Sequence, residues 1–381
     1  MRNYRPPIKA EKLPKIEIVL PMWNEEAIAY GKLEDVMRQE YPPEKLRLTF
    51  VDSCSEDKTV EVVTQWEKEN NKKLAHPIKK ILMEKRLGKS AAINLAIESL
   101  ENDTEIMVMS DADARIGPGA LLKIADWMSD DKIGGVSGFQ QIMNENETSQ
   151  ENREWNYRGI FNVFRVGESV RDSTPIFEGS LAAYKVEALK GFRVIEDSNA
   201  DDSQLALAAR FNGFKSIMDP ELVFTEFTPS YIGMSRKQKV RRAQGLVRLF
   251  YRNMKNLGKS EFRGFRRILI FESYFHLIVP WLTLLGVGLM AVNLVDSIQY
   301  LIEEGVIESL EKSILSLISL YFVICALIGK FLPLSGIIQA FFQAEISLIE
   351  SQLLILSGRS LHKWEQVTET REMLHIHESE E

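Results

Sequence analysis

Between Ile16 and about Phe227 the chain alternates short apolar runs with amphipathic stretches of helical period, and this alternation leaves little choice of architecture. A strand buried on both faces reads as a continuous apolar run, and a crossover, usually a helix, must return the chain before a parallel neighbour can form. IEIVLP, LRLTFVD, KKILME and IMVMSD read as strands, with AIAYGKLEDVMRQ, VEVVTQWEKEN and SAAINLAIESL as the helices between them. The expected fold is α/β with a mostly parallel sheet. Ligands bind such sheets beyond the carboxyl ends of the strands, so polar residues at those ends are the candidates for chemistry.

The fourth run stops at Asp111 and Asp113, two like charges that repel each other and resist desolvation. Side chains two residues apart on an extended backbone share a face, and oxygen ligands on one face suit a hard divalent cation. Mg²⁺ typically takes one or two carboxylates plus substrate phosphates, so the positive partner reads as a metal carrying a diphosphate. The first strand ends in VLPMWNEEA and the second in FVDSCSEDKT, which gathers Pro21, Asn24, Glu25, Asp52, Ser55 and Asp57 at strand ends. LMEKRLGKS sets Arg86, Gly88 and Lys89 before a helix whose N-terminal N–H groups can receive an anion. The spacing is not that of a Walker loop.

A net charge of -7 over 381 residues argues against nucleic acid as a general partner. The average hides an asymmetry: Arg236 to Arg267 holds twelve Lys or Arg and one acid, Glu261. Beyond it, Leu277 to Val295 is free of charge, and Ile314 to Leu334 is interrupted only by Lys330. Each is about the length that a hydrocarbon core of ~30 Å demands. The stretch between them, Asp296 to Lys312, is acidic while the outer flanks are basic, which places the N-terminal domain in the cytoplasm of a multi-pass cell-membrane protein. Gly336 to Leu356 carries Gln339, Gln343, Glu345, Glu350 and Gln352, and either spans with those groups facing protein or lies in the interface. Cys54 and Cys325 read as unpaired small hydrophobes, and the polar N-terminus shows no signal peptide.

PMWNE, DSCSEDKT, LGK, DAD, ADDSQLALAARFNGF and QKVRR, in this order across residues 16–245, resemble the motif set of glycosyltransferase family 2. The resemblance is to its membrane-bound branch, with hyaluronan, cellulose and chitin synthases and the polyprenyl-phosphate glycosyltransferases. It implies an N-terminal extension (1–15), a cytoplasmic GT-A catalytic domain (16–235), basic amphipathic interface helices (236–267), a region of two or three transmembrane helices (268–357) and a C-terminal tail (358–381). It further implies an inverting, metal-dependent transfer from a nucleotide diphosphate sugar, a UDP-sugar first, to a membrane-associated acceptor. That acceptor is either a growing polysaccharide or a lipid-linked saccharide, with a polyprenyl phosphate as the alternative. A non-catalytic scaffold with a degenerate transferase domain is the rival, and a wide pore would need a homo-oligomer.

Carried over by position, Pro21, Glu25 and Asp52 surround the nucleobase and Lys89 approaches the base or the phosphates. Asp111 contacts ribose and metal, and Asp113 holds Mg²⁺ or Mn²⁺. Asp201 and Asp202 take the place of the family's acidic pair, with Asp202 as the base that accepts the acceptor hydroxyl's proton; Glu196 and Asp197 are rivals just upstream. Gln238, Arg241 and Arg242 resemble Q-x-x-R-W with Arg242 in the tryptophan's place, which counts against strict processivity. They contact the diphosphate or snorkel toward anionic lipid. Glu178, Gly179 and Ser180 line the acceptor side. Trp364 and Arg371 resemble a tail that folds back toward the site, and His375 and His377 read as solvated tail.

Overall fold

A computed structural model of the chain describes residues 9–142, 149–227, 232–257, 263–304, 318, 320–322, 335–361 and 368–380. The four apolar runs form β1 (Ile16–Met22), β2 (Leu46–Asp52), β3 (Lys79–Leu82) and β4 (Ile106–Met109). The amphipathic stretches form α1 (Ala29–Met37), α2 (Thr59–Glu69) and α3 (Lys89–Ser99). Then follow β5 (Arg115–Ile116), α4 (Ala120–Met128), β6 (Ile133–Ile142), α5 (Ser149–Arg171), β7 (Ala182–Lys185), α6 (Asp201–Phe211) and β8 (Lys215–Glu226).

All eight strands join one sheet in the order β3-β2-β1-β4-β7-β6-β8-β5. β1 pairs in parallel with β2 and β4, and β2 with β3, as the crossover helices require. The second half departs from the expected mostly parallel sheet. β7 runs antiparallel to both β4 and β6, and β5 antiparallel to β8, so the sheet is mixed. The reason is a change of connection: β7 enters from α5 and the loop after it, and its pairing with β4 puts Ala182 opposite Met109, beside the loop that bears Asp111 and Asp113.

Strand alternation builds two apolar layers. Ile16, Ile18, Leu20 and Met22 of β1 point into a core shared with α1, α2 and α4, while Val19 joins Met107 and Met109 in a second core against α3 and α6. Helices on both faces exclude water from the sheet, and its carboxyl edge is left as the place where polar side chains converge.

The basic segment continues as α7 (Ile232–Asn253), α8 (Arg263–Leu277) and α9 (Val279–Glu304). Within α9, Val279–Asp296 is the one stretch among the described residues long and apolar enough to cross a membrane, and only 6% of it is buried. The two or three transmembrane helices expected are therefore not matched: the second apolar run, Ile314 to Leu334, lies almost wholly outside the described residues, and so does Cys325. Asp296 does not open a loop, because α9 continues to Glu304. Residues Ser335–Leu356 form one helix packed on α5, α7 and α9. Of its polar groups, Glu350 pairs with Arg236 at 2.7 Å, Glu345 is buried and Gln352 Oε1 accepts from Trp281 Nε1 at 2.8 Å, while Gln343 is exposed. The C-terminal residues Thr368–Glu380 form a last helix, docked on the first half of the sheet rather than solvated. Leu374 enters the β1 core and the His377 ring packs edge-on against Phe227, while His375 stays exposed as expected of a tail.

Candidate active site

The loops after β1 and β2 are tied to each other by side chains. Asn24, at φ 55°, donates its backbone N–H to Ser55 Oγ at 2.9 Å, and its Oδ1 accepts from the Glu56 N–H at 2.8 Å. Glu25 N–H donates to Thr59 Oγ1 at 2.8 Å. Asn tolerates the left-handed region better than most residues, so the turn motif is served locally. Trp23 projects from this loop, with the Arg86 guanidinium 3.4 Å from its ring centroid. Asp52 is buried at the end of β2, where Oδ2 accepts from the Ser55 N–H and Oδ1 is without a hydrogen-bond partner.

The sheet's middle carries the first charge cluster. Lys89, the first residue of α3, reaches Asp111 Oδ1 at 2.6 Å and Asp201 Oδ2 at 3.9 Å. Desolvation pulls the Lys89 pKa down, but Asp111, Asp201 and Asp202 together hold it above its ordinary value. Asp201 and Asp202 open α6, where a helix N-terminus favours negative charge. Asp202 Oδ1 accepts from the Ser203 N–H at 2.7 Å, and its backbone carbonyl accepts from the buried Tyr184 hydroxyl at 2.7 Å. Burial first, and then the neighbouring Asp201 charge, push the Asp202 carboxyl up to about 8. Gly179 lies between the two sides of the cluster: a Cβ there would sit 3.2 Å from both Asp202 Oδ2 and Lys89 Nζ. Only a residue without a side chain leaves this gap open.

The second cluster forms around Asp113, two residues on. Arg371 of the C-terminal helix pairs with Asp113 Oδ2 at 2.8 Å and grips Glu25 through two bonds of 2.9 and 3.1 Å. Glu25 is fully buried and Arg371 nearly so. Burial opposes the ionisation of Asp113, yet the Arg371 guanidinium outweighs it and holds the carboxyl below its usual range. Behind it stands Glu226, at the end of β8, which accepts from Gln140 Nε2 at 2.8 Å. Burial, and after it Asp113, push Glu226 up to about 7. Arg242 of α7 lies in the field of Glu178, Glu226, Asp202 and Asp113, which raise its pKa although desolvation works against them.

The structure thus brings together Lys89, Asp111, Asp113, Asp201, Asp202 and Gly179, with Glu178 and Arg242 at their margin. Arg241 is half-buried one residue away, held down in pKa by desolvation and by Arg242, and Gln238 is half-buried on the same helix. Pro21 is buried in β1 and paired with Val51. Glu25 Oε1 accepts from Arg371 Nη2. The rivals for the base are engaged elsewhere: Glu196 bonds Asn94 and Arg193, and Asp197 pairs with Arg252 at 3.1 Å. Trp364 lies outside the described residues. Sequence reading missed Glu226, whose only signal is its place as the last residue of a strand.

Oδ1 of Asp111 is buried and met by Lys89 Nζ alone, and Oδ2 of Asp201 is buried with Lys89 no nearer than 3.9 Å, so lone pairs remain for a cation. An all-oxygen donor set on a short loop suits Mg²⁺ or Mn²⁺. Among the described residues no three His, Cys, Asp or Glu side chains could hold a metal by themselves. The residues present therefore fit a divalent cation that brings further oxygens with it, as one bound to a diphosphate does.

Residues 17–192 match the family described as Glycosyl transferase family 2, and residues 106–332 match Glycosyl transferase family group 2. The chain is similar to a β-monoglucosyldiacylglycerol synthase of Nostoc sp., 28% identical over 149 residues, which is 38% of this chain and 30% of that protein's length. It is also similar to an N-acetylglucosaminyltransferase of Rhizobium meliloti, 24% identical over 313 residues, 75% of this chain and 72% of the relative. Among solved structures it resembles a mannosyltransferase from Pyrobaculum calidifontis in complex with GDP-Man and Mn²⁺, with a TM-score of 0.73 and 27% identity over 93% of this chain and 90% of that one. The mixed, helix-flanked sheet is that of a GT-A-like fold.

Proposed function

The chain belongs to the family 2 glycosyltransferases, and on that premise we propose that it transfers a sugar, with inversion and with a divalent cation, from a nucleotide diphosphate donor to an acceptor held at a membrane. The observation that carries this reading is the meeting of two acidic pairs from distant parts of the chain, Asp111/Asp113 and Asp201/Asp202, across Lys89 and Gly179.

Asp111 and Asp113 would hold the cation. When bound, it neutralises charge on the diphosphate and so makes it a better leaving group. Lys89 adds a fixed positive charge on the same side, and Arg241 and Arg242 bring two more from α7 toward the departing diphosphate. Asp202 takes the proton from the acceptor hydroxyl as that oxygen attacks the anomeric carbon from the face opposite the leaving group. A base is most effective when its pKa lies near the working pH, and burial beside Asp201 raises Asp202 into that range. Gly179 leaves the space through which the acceptor hydroxyl reaches the carboxylate.

The membrane part of the reading rests on α8 and α9. Ile270, Phe271, Tyr274, Phe275, Ile278 and Leu282 form an exposed apolar surface that runs into the candidate spanning stretch, beside the basic α7. Exposed patches of this kind mark lipid or protein partners, and basic flanks favour an anionic bilayer surface. The acceptor is then one that a bilayer presents. Arg242 in place of the tryptophan of processive synthases, and the likeness to a glycolipid-forming relative, favour a lipid or lipid-linked acceptor over a long polymer.

The test uses detergent-purified protein with Mn²⁺ or Mg²⁺ and a panel of GDP-mannose and UDP-hexoses, following nucleotide diphosphate release with and without membrane lipids. Release that needs both cation and lipid and yields an extractable glycolipid is expected. A soluble, high-molecular-mass product formed without lipid would overturn the acceptor assignment, and full release in excess chelator would overturn the metal.

A further inference from the structure

Beneath the Asp111–Asp113 loop lies a cation that the reaction, as described so far, does not use. Lys32 on α1 is completely buried, and its ammonium spends all three protons on neighbours. It donates to Ser110 Oγ at 2.8 Å, to the Ala114 carbonyl at 2.7 Å and to Asp35 Oδ2 at 3.3 Å. Asp35 in turn accepts from the Ile116 N–H with both oxygens, at 3.0 and 3.2 Å. The pair therefore grips the chain at residue 110, immediately before Asp111, and at 114 and 116, immediately after Asp113. The loop is held as well by the Ser110 N–H, which donates to the Val19 carbonyl at 3.2 Å, and by Arg115 Nη1, which donates to the Ala112 and Ala114 carbonyls at 2.7 and 3.1 Å.

The grip extends to the far wall of the site. Ser110 Oγ, held by Lys32, donates to the Ser180 carbonyl at 2.8 Å, and Ser180 Oγ donates to Asp111 Oδ2 at 3.3 Å. One oxygen of Asp111 is thus reached by a relay that starts at a buried ammonium on α1, while Lys89 holds the other at 2.6 Å. A lysine is a costly choice for such a place, since an apolar residue would pack there without desolvating a charge. What it adds is three directed bonds and a positive charge under two carboxylates that repel each other.

We propose that Lys32 is a positioning residue for the Asp111–Asp113 loop, fixing through Ser110 and Ala114 the geometry in which the two carboxylates receive the cation. The role rests on the metal–diphosphate reading of that loop. Groups that orient ligands from behind typically change metal affinity by about 10–100-fold when removed.

The test is a Mn²⁺ titration of the full-length protein in detergent with saturating GDP, and with UDP in parallel, read by the loss of the free-ion electron paramagnetic resonance signal. Lys32→Met should raise the half-saturating Mn²⁺ concentration by about 10–100-fold. The double variant Lys32→Met/Asp35→Asn, which keeps an acceptor for Ile116 without a lone buried carboxylate, should show the same shift with less loss of thermal midpoint. A role confined to stability would lower the midpoint and leave the Mn²⁺ titration unmoved, and that result overturns the proposal. Should neither Lys32 variant fold, Ser110→Ala decides: a weakened Mn²⁺ titration supports the relay, and a wild-type titration refutes it. Asp113→Asn separates the two levels of the argument. If it binds Mn²⁺ as the wild type does, the metal reading of the loop fails and the role of Lys32 falls with it.

Discussion

Asp111 and Asp113 stand two residues apart and are held by cations of opposite origin. Asp111 is paired by Lys89, which the chain supplies from the next crossover helix of the same α/β domain, at 2.6 Å. Asp113 is paired by Arg371, supplied from a helix near the end of the sequence, at 2.8 Å. The first pair is partly open to solvent and belongs to the cluster around Asp202; in the second, Asp113 is also partly open, but its partner Arg371 is buried against Glu25 and fastens the C-terminal helix to the sheet. One short motif thus joins a reactive region to a region whose cation also serves stability. The two sides should respond differently to substitution.

The largest effect belongs to the Asp111 side. Asp202→Asn should lower kcat by about 10²–10⁴-fold, the range of a lost general base, while leaving the protein folded. The same residue governs pH. A base must be deprotonated to act, and burial beside Asp201 raises Asp202 to about 8, so the wild-type rate should climb as pH rises through that value and the climb should vanish in Asp202→Asn. A pH–rate profile checks both, and a flat wild-type profile from pH 6 to about 9 would remove the assignment.

On the Asp113 side the response should be in stability. Arg371→Ala removes the buried guanidinium that pairs with Glu25, and breaking a buried pair costs about 3–5 kcal/mol. Denaturation of the two proteins under matched detergent measures the difference; an unchanged midpoint would mean that the C-terminal helix does not depend on this pair. The smallest effect is expected at the boundary. Gly179→Ala introduces a Cβ 3.2 Å from Asp202 Oδ2 and Lys89 Nζ, a mild overpacking of about 1 kcal/mol at the site. Its kinetics should show a rate loss without the pH profile moving, because no titrating group is removed.

Periodicity was enough to place β1 to β4 and α1 to α3 within one or two residues, since β1, β2 and β4 bury both faces and each helix buries a stripe. It was not enough for the second half of the sheet. β7 is four residues long and β5 two, and nothing local tells a short apolar strand which neighbour it will take or in which direction. Strand-end position was also the signal for Asp111 and Asp113, whereas the acidic pair at α6 was reached through the family resemblance; Glu226 shared the strand-end signal without being singled out, and Lys32 carried none.

The order of strand-end acids along the chain, by itself, determined which residues would meet at the carboxyl edge of the sheet, because a parallel β-α unit delivers every strand end to the same edge. Only the tertiary structure decided which charges balance them. Lys32 lies in an amphipathic helix where a lysine reads as solvated, and Arg371 lies in a polar tail, yet both are buried against the same loop. A charge is placed by the partners that repay its desolvation, and those partners are distant in sequence.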